Sequence, residues 1–425
     1  MSRTSITAVR GRRVWDSRGR PTVEAEVELA CGAMGRGIAP AGASTGSGEA
    51  LDLRDGGTAF GGLDVTKAVA GIGAEIAPAI LGQDAACQES VDRRLIELDG
   101  TPAKTRLGAN ATLAVSIAST HAAAAAHHLP LWRWLGGDDA RTMPLPEIQI
   151  FGGGAHAGRR VDIQDFLVVC PGADSFAQAL DWTAEVYRSA GRLMAEAGKL
   201  KGVADEGGFW PDFSANEEAL DYLTRAIERA GYRPVEQVAI ALDIAASELG
   251  RDGRYRLGLE GRELDSHGMV DMLAGWIGRY PVVSIEDPLA EDDTAGFAAF
   301  TARFGDRLQI VGDDFLVTDA ARVRRAAERN ECNTVLVKPN QRGTLSEAKA
   351  CWDAARAAGF GAIVSARSGE TEDVTIIHLA VGWGVPGFKV GSFSRSERMA
   401  KWNEGIRIED DLADRARFAG RQALA

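Results

Sequence analysis

After about residue 145 the chain repeats one device: a short apolar run that ends on a charged or polar side chain. "VAIALD" ends at Asp243, "VVSIED" reaches Glu286 and "LQIVGDD" reaches Asp313. "NTVLVK" ends at Lys338, "AIVSARS" reaches Arg367 and "GFKVGS" contains Lys389. From Asp313 onward these polar ends recur about every 25 residues, with helix-like segments such as "SEAKACWDAARAAG" between them. A strand–helix repeat with its reactive residues always at the C-terminal end of the strand is the pattern of a (β/α)8 barrel, which gathers its active site there. One such residue alone could be a helix cap or a loop salt bridge. Six in succession at the same end argue for a shared mouth.

Asp243, Glu286 and Asp313 would be three carboxylates converging on that mouth, and unpaired they would repel strongly. A hard divalent cation resolves the repulsion, and Mg2+ suits oxygen ligands with room left for substrate and water. Pairing with arginines is the alternative. Only eight of the 48 basic residues are lysines, so Lys338 and Lys389 at apolar strand ends are unusual choices. A lysine crowded by another cation and a metal is expected to have a lowered pKa and to serve as a base. The alternative is a structural salt bridge.

Two further segments feed the same barrel. "GVADEGGFWP" sets Glu206 in a Gly-rich turn, where it can act as a general acid, and "GGGAHAGRRVDIQDF" supplies His156, Gln164 and Asp165. Residues 39–55, "APAGASTGSGEALDLRD", read as a small-residue loop able to fold down as a lid, or as an ordinary exposed loop. Ser368 and Arg367 follow an apolar strand and look placed to hold an anion.

The first 135 or so residues mix elements. "TVEAEVELA" alternates with period two, as a half-buried strand does. Residues 61–81 and 109–128 read as helices, the second Ala-rich and buried, and "LGGDDARTMP" reads as a linker. The length of 425 residues implies two domains, 1–138 and 139–425. A net charge of −12 argues against nucleic-acid or acidic-membrane partners. The N-terminus shows no apolar signal region and the five cysteines are scattered singly, so a cytoplasmic location is expected.

"DSRGRPTVE", "AGASTG", "GGAHAG", "DEGGF", "LDIAASE", "SIEDPLAEDD", "GDDFLVT", "KPNQRGTLSE", "RSGETED" and "SRSERMAKWNEGIRIE" resemble enolase, in enolase order, over nearly the whole chain. The resemblance implies an α/β protein: an N-terminal α+β capping domain followed by an enolase-type (β/α)8 barrel that begins ββαα. It implies Mg2+ on Asp243, Glu286 and Asp313, with a second Mg2+ completed by substrate and Ser44. Lys338 would remove the C2 proton of 2-phosphoglycerate on the way to phosphoenolpyruvate, and Glu206 would assist loss of the C3 hydroxyl. Lys389 would hold the substrate carboxylate, and Arg367 and Ser368 its phosphate, with His156, Gln164 and Asp165 lining the site. A homodimer or higher homo-oligomer is implied, with Glu24 and Arg407 paired across a twofold axis near Arg12 and Asp410.

The match departs in loops around the substrate. Ala366 stands where enolases carry a histidine, Asp165 where they carry a glutamate, and Gly152 where they carry an asparagine. Arg159 and Arg160 stand where small or neutral residues are common. A vacated histidine and two added arginines would suit a bulkier or more anionic substrate. The branch of the family that fits is carboxyphosphonoenolpyruvate synthase of phosphonate biosynthesis. Tolerated drift in an ordinary enolase and a non-catalytic binding role are the alternatives.

Overall fold

The structure, a computed structural model, describes residues 2–424. The chain opens with an antiparallel sheet of β1 (Ile6–Trp15), β2 (Pro21–Leu29) and β3 (Met34–Ile38) in sequential order. Strand β2 alternates as expected, yet its polar face is not open to water. Glu24 stands opposite Arg12, and Glu26 is flanked by Arg10 and Arg36 in the register. Arg12 donates to Glu24 at 2.6 Å, and Glu24 is buried. Glu24 is thus paired within its own chain, and Arg407 with Glu404 at 2.8 Å.

Helix α1 (Gln88–Asp99) packs on α2 (Ala109–Ala126), which covers the other face of the sheet. Helix α2 is buried almost all round, as its alanine content implies, because it lies between the sheet and the second domain. The approach to β3 is close enough to require glycine. A Cβ on Gly35 would stand 2.1 Å from the Ala118 carbonyl oxygen and 2.2 Å from the Ala122 nitrogen. The helix expected over 61–81 runs only over 66–80 and opens into a π turn at Ile72–Ile76. Pro78 explains the turn: it offers no N–H, and its ring crowds the carbonyl one turn back.

The second unit is a closed eight-stranded barrel. It begins with β4 (Leu145–Gly152) and β5 (Asp165–Val169), followed by α3 (Phe176–Glu196) and α4 (Asn216–Arg229). Six strand–helix units then follow: β6 (Ala239–Asp243), α5 (Ser266–Arg279), β7 (Val282–Glu286), α6 (Thr294–Phe304), β8 (Gln309–Gly312) and α7 (Ala320–Arg329). They continue as β9 (Thr334–Val337), α8 (Leu345–Ala357), β10 (Gly361–Ser365), α9 (Thr375–Trp383), β11 (Gly387–Ser392) and α10 (Ser396–Leu412). Strand β5 runs antiparallel to both neighbours and every other ladder in the barrel is parallel. The barrel therefore opens ββαα.

Its interior is stoppered below by Leu145, Leu167, Val169, Ala239 and Ala241, packed on Ala423 from the C-terminal segment. Polar side chains are thus confined largely to the upper end. The two units are tied by buried polar contacts: Lys104 pairs with Glu347 at 3.0 Å, and Asp92 accepts from the Ser346 backbone N–H at 2.9 Å. Among the described residues no helix is long and apolar enough to cross a membrane.

Because the Gly35 contact is backbone on backbone, no rotamer change can relieve a larger residue there. Gly35→Ala is expected to lower unfolding free energy by about 1–3 kcal/mol. A urea midpoint equal to wild type would contradict this packing.

Candidate active site

Strand register builds the first half of the site. Asp165, Asp243 and Glu286 are lateral neighbours across β5, β6 and β7, so one row of the barrel carries three carboxylates side by side. Asp313 and Lys338 follow β8 and β9 by one residue, and Arg367 lies two residues beyond β10. Lys389 differs from expectation: it sits within β11, paired in register with Ser365, and reaches the mouth from inside the barrel.

These groups are charge-matched at short range. Lys389 Nζ donates to Glu286 Oε2 at 2.7 Å and to Asp243 Oδ2 at 2.8 Å, with Asp165 Oδ2 at 3.5 Å. Lys338 pairs with Asp313 Oδ2, and Gln341 donates to Asp313 Oδ1 at 2.9 Å. Asp243 also accepts from Gln164 Nε2 at 3.0 Å. The carboxylates therefore pair with lysines, not arginines. Burial disfavours charge on Lys389, but Asp243 and Glu286 outweigh it and raise its pKa well above the ordinary value. Burial also works against the Lys338 ammonium, and Asp313 outweighs it. Its pKa is raised, with the Asp313 carboxylate as the strongest favourable influence and Arg367 opposing it.

The same balance leaves one carboxylate short. Glu286 Oε1 is buried without a hydrogen-bond partner, and burial followed by repulsion from Asp243 holds this carboxyl well above its usual range. Next to it, Asp287, Asp313 and Asp314 offer oxygens within 4.8 Å of one another. Burial, then Asp313, pushes Asp314 up to about 8. Asp287, Asp313 and Asp314, all oxygen donors, form a group that could hold a hard divalent cation, and Glu286, outside that group, brings an orphaned buried oxygen. His156, Asp165 and Glu206 form a second group that could hold a metal.

That second group faces the lysines across a cleft lined by Ser44, His156, Gln164, Asp165, Glu206, Asp243, Lys338, Ala366, Arg367, Ser368 and Lys389, among others. His156 Nε2 lies 3.8 Å from Asp165 Oδ1 and 3.9 Å from Glu206 Oε1. Burial holds Asp165 above the carboxylate range. It acts on Glu206 too, but His156 and then Arg398 outweigh it and draw Glu206 below the usual value. The two carboxyls are thus shifted in opposite directions by their surroundings.

The polar rim at 365–370 does hold an anion. Arg367 grips Glu49 of the 39–55 loop with a two-pronged contact, 2.9 Å to Oε2 and 3.1 Å to Oε1, and donates to the Ser44 carbonyl at 2.8 Å. Ser368 Oγ accepts from the Ala43 N–H at 3.0 Å. The loop is therefore folded down as a lid. Ala366 lines the cleft and is 7% exposed. Arg159 and Arg160 do not line it: Arg159 pairs with Glu248, and Arg160 with Asp212 at 3.1 Å. Their charge is spent on neighbours, and the extra cationic surface expected from the sequence is not formed at the cleft.

Several members of the site escaped the sequence reading. Glu49 lay inside the lid stretch, and Asp287 and Asp314 adjoin residues already singled out. Gln341 follows Lys338 by one 3-10 turn, a signal too weak to distinguish it from any loop glutamine.

A barrel with one reversed strand, a capping α+β domain and a mouth of alternating carboxylates and lysines defines a class, the enolase-superfamily barrel enzymes. The model of the enolase N-terminal domain matches residues 6–135, and that of the enolase C-terminal TIM barrel domain matches residues 140–425. The chain belongs to the enolase family, and this pairing of domains supports an enzyme of the lyase kind.

The Arg367–Glu49 pair is buried on both sides, at 3% and 8% side-chain exposure. Arg367→Ala would leave Glu49 buried without its counter-charge, which costs about 3–5 kcal/mol. The thermal unfolding midpoint should fall accordingly. An unchanged midpoint would mean that Glu49 finds water without the arginine.

Proposed function

We propose that the chain is a Mg2+-dependent lyase that interconverts 2-phosphoglycerate and phosphoenolpyruvate through an enolate. The observation that carries this reading is the pairing of two buried ammonium groups, Lys338 and Lys389, with Asp313, Asp243 and Glu286 at one wall of the cleft. Asp243, Glu286 and Asp313 would hold one Mg2+, and Ser44 with the substrate a second. Bound there, Mg2+ supplies a positive charge that stabilises a carboxylate as it becomes an enolate dianion.

The chain's own residues do the rest. Lys338 takes the C2 proton, which requires its neutral form and hence an Asp313 whose charge is committed elsewhere. Lys389 orients the substrate carboxylate. Arg367 and Ser368 hold the phosphate, for which Glu49 must release the guanidinium. The acid that helps the C3 hydroxyl leave is Glu206, which lies beside His156 and Asp165. A homodimer or higher homo-oligomer remains part of this proposal.

Chelation should abolish turnover, and Lys338→Ala should stop exchange of the C2 proton with solvent. Glu206→Gln should block hydroxyl loss while leaving exchange. Phosphorus NMR of product formation and deuterium exchange at C2 read these directly. Wild-type exchange in Lys338→Ala would remove Lys338 from the role of base.

Ala366 and the short Asp165 favour a second reading, carboxyphosphonoenolpyruvate synthesis, since both leave space where a histidine and a glutamate would fill it. Arg159 and Arg160, being paired outside the cleft, lend it no support. Ala366→His with Asp165→Glu separates the two. On the first reading the double variant raises kcat/KM for 2-phosphoglycerate about tenfold or more, since a hydrogen bond to a charged group is worth about 1.5–3 kcal/mol. On the second it loses the native reaction, seen by phosphorus NMR with 2-phosphoglycerate and activated phosphonoformate.

A further inference from the structure

Strand β4 carries a carboxyl that the proposed chemistry does not use. Residues 145–152 are buried throughout, and Glu147 among them is 4% exposed. Glu147 is the register partner of Lys389 on one side and of Val169 on the other. Leu145 belongs to the apolar cluster that fills the barrel, so its strand alternation sends Glu147 into the interior too. Glu147 therefore lies below the carboxylates of the mouth, in the register row of Val169 and Ala239.

A carboxyl in such a place normally has a partner. Lys389, the ammonium nearest in register, instead spends its contacts on Asp243, Glu286 and Asp165. The charged groups that act on Glu147 are Lys389, which favours its anion, and Asp243, which opposes it; β5 presents only Val169 beside it. Burial dominates and pushes the carboxyl up to about 7.

Resting on the proposed metal-dependent reading of this site, we propose that Glu147 is a positioning residue that holds the Lys389 ammonium from the floor of the cleft when a divalent cation draws Asp243 and Glu286 away. The reason is charge conservation at one point. Lys389 is held by carboxylates that a cation would claim. Glu147 is a carboxylate in register with Lys389 that lies beneath the mouth and is not among those ligands. With it ionised, Lys389 stays charged and aimed upward; without it, the ammonium competes with the cation for Asp243 and Glu286.

The test compares wild type with Glu147→Gln and Glu147→Met, the second filling the apolar layer should the first fail to fold. Calorimetric titration with Mg2+ alone reads the competition at pH 6 and pH 8. Near pH 6 wild-type Glu147 is largely protonated, and the proteins should bind alike. At pH 8 it is an anion, and wild type should bind Mg2+ about fivefold more tightly than either variant. Thermal unfolding gives an independent readout. The raised carboxyl contributes stability that is complete below the unfolded-state pKa and lost as pH rises through about 7. The Tm of wild type relative to Glu147→Gln should therefore fall between pH 5 and pH 8. A wild-type-to-variant affinity ratio that is the same at both pH values, or a constant Tm difference, overturns the proposal. Mg2+ that binds no protein overturns it together with the metal reading. Absence of 2-phosphoglycerate turnover beside the expected pH-dependent ratio overturns the catalytic reading alone.

Discussion

Two lysines carry their charge inside a barrel, and the rest of the site is arranged around that fact. Removing an ammonium from water costs several kcal/mol, and only close carboxylates offset it. Lys389 has two within 2.8 Å and a third at 3.5 Å, and Lys338 has Asp313. The carboxylates in turn are tolerated in one lateral row only because these ammoniums lie between them. Removing one member leaves its partner buried and unpaired, so the cluster stands or falls together. The arrangement is also poised: Glu286 retains an oxygen that no side chain satisfies, and burial, reinforced by the neighbouring carboxylates, raises Asp287 and Asp314.

The fold brings charge to one end by filling the other with hydrocarbon. Small residues Ala239 and Ala241 and the stopper Ala423 close the barrel below, so polar side chains have one direction in which to be hydrated. The reversed strand β5 fits the same economy of space. Running antiparallel to β4 and β6, it sets Asp165 beside Asp243 at the mouth although Asp165 is the first residue of its strand. The lid adds the last anion. Glu49 occupies the guanidinium of Arg367, so the charge of that arginine is neutralised by the protein's own carboxylate.

Much of this was legible in the chain. Apolar runs that end in Asp243, Glu286, Asp313, Lys338 and Arg367 announce a parallel strand–helix architecture and its working end, because such a repeat brings the C-terminal ends of its strands to one side. The motif order identifies the enolase family and the ββαα opening. Sequence alone misread quantities that depend on who stands beside whom. Arg159 and Arg160 were expected to add positive charge at the cleft, but Glu248 and Asp212, far away in sequence, claim them. The half-buried face of β2 is shielded by arginines from both neighbouring strands.

What the sequence determined by itself is the periodic part: strand and helix order, the two-domain division of the chain between a mixed and a repeating half, and the identity of the groups at the strand ends. These follow from spacing, which is a local property. Tertiary structure decided the pairings: Lys389 with Asp243 and Glu286, Glu49 with Arg367, and Glu147 in register with Lys389. Each depends on distances between residues separated by many tens to hundreds of positions in the chain. Electrostatic energy falls with distance and rises with burial, and neither is fixed until the barrel has closed.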